Sequence, residues 1–143
     1  MTGESIAELE PAQEAVLPRP KILIVDDDAG QADALAYRLR KQGFDALTSR
    51  TGNGGLALAQ DEGPNLVLLD IRLPDVDGFE VCERLTSHPA TCGIPVIIVS
   101  GVEHPDVIRK ARSAGSSYYL RKPYDPNALL VLVQSALDEA SYL

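Results

Sequence analysis

The sequence predicts an α/β fold, one five-stranded parallel sheet with helices on both faces in a doubly wound (βα)5 arrangement. Three observations predict it. From Lys21 onward, short apolar runs alternate five times with amphipathic stretches. Start and stop signals fall between them: Gly43 and Gly115 sit where helices should end, and Asp125-Pro126 offers an N-cap followed by proline at the first helical position. The final stretch repeats Leu129, Leu132, Val133, Ala136 and Leu137 at three- and four-residue spacing, a single packing stripe.

The elements follow in order. The first strand, Ile22–Val25, runs into Asp26, Asp27 and Asp28, of which Asp28 is placed to cap a helix over Gly30–Lys41. The second strand is Asp45–Thr48, followed by a helix over Gly54–Gln60. The third, Leu66–Leu69, ends on Asp70 and leads through Pro74 and Gly78 to a helix over Phe79–Leu85, on which Cys82 faces a core. The fourth, Val96–Val99, closes on Ser100 and Gly101 before a helix over Asp106–Ala114. The fifth, Tyr118–Arg121, delivers Lys122 just as Pro123 halts the pairing, and the last helix covers Pro126–Ala140.

At 143 residues and 45% hydrophobic content, the chain is long enough for one domain with a buried core. The net charge of -8 and the scattering of its 13 basic residues argue against direct nucleic-acid binding, which needs clustered Lys and Arg. Cys82 and Cys92 form neither a Cys-x-x-Cys pair nor a secreted disulfide framework, so a reducing cytoplasm is expected. The start of the chain lacks the order of a secretory signal, and no apolar run is long enough to span a bilayer. Residues 1–19, with Glu4, Glu8, Glu10 and Glu14 among prolines, read as a flexible acidic arm, with a short helix over Ile6–Ala15 as the other reading. Residues 20–143 form the domain. No DNA-binding segment is visible, and His88 and His104 read as surface residues outside any metal-ligand spacing.

Chemistry concentrates at the strand ends. In an open parallel sheet, ligands bind in the crevice at the carboxyl ends of the strands. Adjacent carboxylates there repel by a few kcal/mol at an effective dielectric of about 20, and a hard cation offsets that repulsion. Asp26 and Asp27, converging with Asp70, therefore predict a divalent-metal site of the kind Mg²⁺ takes. With a cation neutralising phosphoryl oxygens, a carboxylate at Asp70 can attack phosphorus and form a labile acyl phosphate. Ser100 can donate to a phosphoryl oxygen if it faces that crevice, although a lone strand-end hydroxyl is more often a turn cap. Lys122 completes the parts of a phosphoryl clamp: metal site, nucleophile, donor and counter-charge.

As an ordered set, Val25-Asp26-Asp27, Leu69-Asp70 with Leu73-Pro74-Asp75-Val76-Asp77-Gly78, Val99-Ser100 and Lys122-Pro123 resemble the response-regulator receiver domain of two-component signalling, in its single-domain chemotaxis-type form. The resemblance covers about 20–143 and implies a flavodoxin-like fold. It implies Asp70 as phosphoacceptor, and Asp26, Asp27, Asp70 and the Arg72 backbone carbonyl around Mg²⁺ or Mn²⁺, with Asp26 acting largely through water. Ser100 would receive a phosphoryl oxygen, Lys122 would pair with the acyl phosphate, and Tyr119 would be the switch aromatic that turns inward as Ser100 moves. It also implies a cis Lys122-Pro123 bond and a turn at Gly78 that side chains resist. Arg72 and Val102 occupy positions that bear on water access to the acyl phosphate.

The implied partners are a sensor histidine kinase or a histidine phosphotransfer protein upstream and a protein target downstream, with a homodimer through the fourth and fifth helical face allowed by analogy. The implied role is a switch with self-catalysed phosphotransfer and autodephosphorylation rather than an enzyme. Other readings remain at this level. A phosphorylation-independent pseudo-receiver would keep the fold alone, and an Asp-nucleophile phosphohydrolase would want a second Asp where Arg72 stands. A flavodoxin-like cofactor binder would place phosphate against unneutralised acids.

Overall fold

The computed structural model describes residues 18–102 and 105–141. The acidic arm, except its last two residues, and His104 lie outside the described residues. The chain alternates strand and helix without exception: β1 (Lys21–Val25), α1 (Ala29–Lys41), β2 (Asp45–Ser49), α2 (Gly52–Glu62), β3 (Leu66–Leu69), α3 (Gly78–Ser87), β4 (Val96–Ser100), α4 (Val107–Ser113), β5 (Tyr118–Arg121) and α5 (Pro126–Ala140). The strands form one parallel sheet in the order β2-β1-β3-β4-β5.

Alternation along the central strands divides the core in two. Ile22, Ile24, Leu66, Leu68, Ile97 and Val99 point to the face covered by α1 and α5, whose Ala32, Ala36, Leu39, Leu129, Val133 and Ala136 are buried against them. Leu23, Val25, Val67, Leu69, Val96 and Ile98 point the other way, onto Ala59 of α2, Val81, Cys82 and Leu85 of α3, and Val107 and Ala111 of α4. Two-sided burial explains why these strands read as unbroken apolar runs.

Helix ends match their local chemistry. Asp28, Thr51, Asp77 and Asp125 each accept a backbone N–H of the following first turn. Gly43 and Gly115 have φ of 95° and 96°, the left-handed conformation that ends α1 and α4 at low cost. The helix starts of α1, α3 and α4 differ from expectation by one residue, and that of α2 by two, because Thr51 caps it ahead of the expected Gly54 and the Asp75 carboxylate binds its first N–H groups.

Gly78 corrects an expectation. Its φ is not positive; glycine is needed because the chain doubles back on itself. A Cβ there would lie 2.4 Å from Ile71 Cα and 2.5 Å from the Asp70 carbonyl oxygen, both backbone atoms.

Candidate functional site

The strand order decides which side chains meet. β1 and β3 are neighbours at the sheet centre, so their carboxyl ends place Asp26 and Asp70 side by side. The two residues are tied into the sheet beyond the strands themselves: Asp26 N–H donates to the Ser49 carbonyl at 3.0 Å, and Asp70 N–H donates to the Val25 carbonyl at 2.9 Å. Asp26 is buried, Asp70 half-buried and Asp27 exposed, and each contributes a carboxylate oxygen to a group lying within 4.8 Å of one another. Among the described residues this is where metal-ligating side chains gather.

Lys122 arrives from the far side of β4. Its backbone N–H donates to the Ser100 carbonyl at 2.9 Å, and its Lys122-Pro123 bond is cis, as the resemblance implies. Its Nζ donates to Asp26 Oδ2, Asp70 Oδ2 and Gln31 Oε1, each at 3.0 Å. An ammonium has three N–H donors, and all three are used. Burial works against the charge of this lysine. The hydrogen bonds and charges of Asp70 and Asp26 outweigh it and hold the ammonium above the usual lysine value.

Ser100 is fully buried at the end of β4, and its Oγ accepts the Val102 N–H at 3.1 Å, a local turn contact. Tyr119, half-buried on β5, donates its hydroxyl to the carbonyl of the same Val102 at 3.4 Å, and burial pushes its phenol pKa up. A Cβ at Gly101 would meet Lys122 Cβ at 3.9 Å, an ordinary contact.

Comparison with known proteins bears on the family and the fold. A family model described as the response regulator receiver domain matches residues 22–134. The chain belongs to the response-regulator receiver family. The receiver is 37% identical to protein PilH of Pseudomonas aeruginosa, over 82% of this chain and 97% of that protein. It is 36% identical to the DNA-binding dual master transcriptional regulator RpaA of a Synechocystis strain, over 82% of this chain and 49% of that protein. The receiver thus spans about half the length of some curated relatives it matches and nearly all of PilH. Its fold superposes on a CheY-like receiver domain protein from Methanospirillum hungatei JF-1 with a TM-score of 0.82 at 34% identity, covering 87% of this chain and 98% of that one.

The donor set of the receiver fits a hard divalent cation. Asp26, Asp27 and Asp70 offer only oxygen, from an exposed edge on which waters can complete a shell. Behind Asp70 the loop to α3 is braced from outside the cluster. The Arg72 N–H donates to Asp70 Oδ1 at 3.1 Å, while Asp75 Oδ1 and Oδ2 accept the Gly52 and Asn53 N–H groups at 2.8 and 2.9 Å. These backbone bonds hold the Asp75 carboxyl below the usual aspartate value.

All the side chains named at the strand ends lie along this edge, although Ser100 Oγ is engaged with Val102 rather than with the carboxylates. Two residues went unremarked in the sequence. Gln31 has no motif of its own, and its signal was only its place in the first turn of a helix that starts beside the acids. Asp75 lay inside a quoted motif without a role, and the helix start it serves, at Gly52, lies far upstream in the chain, so no local signal pairs the two.

Proposed function

We infer that this receiver is a phosphorylation switch in a two-component or phosphorelay system. Asp70 takes a phosphoryl group from a phosphohistidine on a sensor kinase or histidine phosphotransfer protein, and the surface of α4, β5 and α5 then changes its affinity for a protein target. The observation that supports this reading is the Lys122 ammonium 3.0 Å from Asp70 Oδ2, in a cluster whose acids come from two neighbouring strand ends.

An Asp70 carboxylate oxygen attacks phosphorus, the P–N bond to the donor ring breaks as the new P–O bond forms, and the imidazole, already protonated on its other nitrogen, leaves as the neutral ring with the electron pair of the broken bond. Asp26, Asp27, Asp70 and the Arg72 carbonyl would hold Mg²⁺ or Mn²⁺, which when bound neutralises charge on the phosphoryl oxygens. Lys122 supplies a fixed counter-charge on the opposite side. Ser100 donates its O–H to a phosphoryl oxygen, its Oγ moving from the Val102 N–H it now accepts, and Tyr119, bound to the Val102 carbonyl, answers that change at β5. A histidine-kinase partner and the two free cysteines support a cytoplasmic setting. Among the described residues no helix is long and apolar enough to cross a membrane.

The test is intact-protein mass after incubation with acetyl phosphate and Mg²⁺, comparing wild type, Asp70→Ala and an EDTA control. One phosphoryl adduct that requires Asp70 and the metal is expected. An adduct retained in Asp70→Ala overturns the acceptor assignment, and no adduct in wild type, with beryllofluoride also failing to bind, points to a phosphorylation-independent module.

A further inference from the structure

Gln31 lies in the first turn of α1, outside every strand end that carries the chemistry, yet its side-chain oxygen meets the Lys122 ammonium at 3.0 Å. Its own backbone N–H is bound by the capping Asp28 Oδ1 at 3.0 Å, so the residue stands on a fixed helix start. Asp28 N–H in turn donates to Asp26 Oδ1 at 3.0 Å, which links that helix start to the acid on the other side of the lysine. The three acceptors around Nζ therefore come from β1, β3 and α1, and together they hold the lysine in one rotamer.

We propose that Gln31 is a positioning residue for phosphoryl transfer, the neutral third acceptor that keeps the Lys122 ammonium aimed while its bond to Asp70 is exchanged for one to the incoming phosphoryl oxygen. The two acids alone cannot do this. Asp70 is the group being modified, so its oxygen is the acceptor that changes during the step. A lysine held by Asp26 only is free to swing on its long stem toward solvent, because a single ion pair fixes one direction and not an orientation. Gln31 supplies the second fixed bond and, being uncharged, adds no repulsion toward an anionic phosphoryl group. Its exposed position sets the size of the effect, since water competes for the same donor.

The inference rests on Asp70 being the acceptor, and its test separates the two. The first readout is the Lys122 ζ-ammonium signal in a proton–nitrogen correlation spectrum of ¹⁵N-labelled, metal-free protein, assigned by its loss in Lys122→Arg. The second is the rate of phosphorylation by acetyl phosphate with Mg²⁺, resolved into a maximal rate and a half-saturating donor concentration. Gln31→Met keeps the volume of the side chain and removes its oxygen, while Gln31→Glu keeps an oxygen in place.

In Gln31→Met the ammonium signal broadens through faster proton exchange, and the maximal rate falls roughly three- to ten-fold with the half-saturating concentration unchanged, the size expected for one hydrogen bond to a charged group open to water. In Gln31→Glu the ammonium signal is retained. A Met variant with the wild-type ammonium spectrum, or one whose maximal rate matches wild type, overturns the proposal. Failure of wild type to be labelled at all overturns the acceptor reading instead, and the ammonium spectrum, recorded without donor or metal, is unaffected by that outcome.

Discussion

Lys122 and Asp70 lie 52 positions apart in sequence and meet at 3.0 Å, with the same ammonium 3.0 Å from Asp26. One cation is therefore shared by two carboxylates that would otherwise face each other on adjacent strand ends. Replacing it by Met leaves a buried acid and a half-buried acid uncompensated, and the metal-free protein is expected to lose about 1–3 kcal/mol, below the range for a fully buried pair because the lysine is partly open to water. Added Mg²⁺ should restore part of the loss. Urea unfolding in EDTA and in MgCl₂ measures both, and a variant as stable as wild type in EDTA would contradict the shared-cation account.

The pH dependence of that loss has a definite sign. The folded-state pKa of Lys122 is raised, so its contribution is fully present below the unfolded lysine value near ~10.4 and disappears only as pH rises through the higher folded value. The stability gap between wild type and Lys122→Met should hold constant from neutrality into the mildly alkaline range and narrow only above the ordinary lysine pKa. A gap that closes before that point shows the ammonium is not held by the acids.

Asp75 touches none of the phosphoryl-site side chains, and its carboxylate binds the first N–H groups of α2. Asp75→Ala should lower the thermal midpoint, with Asp75→Asn intermediate because its side-chain oxygen still accepts one bond. Here the sign is reversed: the folded pKa lies below 3.8, so the contribution is present above that value and vanishes as pH falls through the lower folded one. Thermal melts of wild type and Asp75→Ala should differ at neutral pH and converge in acid. Melts that differ equally at both would place the effect elsewhere.

Gly78 and Gly101 flank the site in sequence motifs of similar appearance, yet their substitution should have opposite outcomes. Alanine at Gly78 drives a Cβ into two backbone atoms that cannot move without opening the loop, and a loss of roughly 2–4 kcal/mol is expected. Alanine at Gly101 meets only an ordinary contact with Lys122 Cβ and should be neutral within about 0.5 kcal/mol. Denaturant midpoints of the two variants decide the contrast, and a harmless Gly78→Ala would show that the chain reversal there is soft.

The two cysteines should separate cleanly by reactivity. Cys82 is fully buried on α3, where burial and the neighbouring Glu83 charge push its thiol up to about 12, while Cys92 is exposed in the turn before β4. A thiol reagent at mildly alkaline pH should modify one cysteine in the folded protein and both in urea, and peptide mapping should place the native adduct on Cys92. Modification of Cys82 at a comparable rate would mean that α3 opens readily from the sheet.

The strands and the side chains at their ends were legible because burial on both faces leaves an unbroken apolar run, and the first polar residue after it marks the crevice. Asp26, Asp27, Asp70 and Lys122 fall at such boundaries, and the sheet order brings them together. Gln31 and Asp75 were not legible in the same way. Each acts across the gap between a helix start and a loop that are distant in the chain, and polar residues at such places look like any solvated surface. Gly78 shows a subtler failure: its necessity was evident and its reason was not, since a positive φ and a backbone close approach both select glycine.

The contact between Lys122 and Asp26 spans 96 positions and crosses from β1 to the end of β5, the last strand to leave any synthesis or folding process that starts at the amino end. A chain that has paired β1 with β3 already holds its acids but lacks the cation that orders them, because that cation is delivered only when the opposite edge of the sheet closes. The site is therefore complete only where the sheet runs unbroken from β1 through β3 and β4 to β5. A copy in which β4 and β5 are unpaired lacks the cation between its acids, so a working site reports the register of four of the five strands.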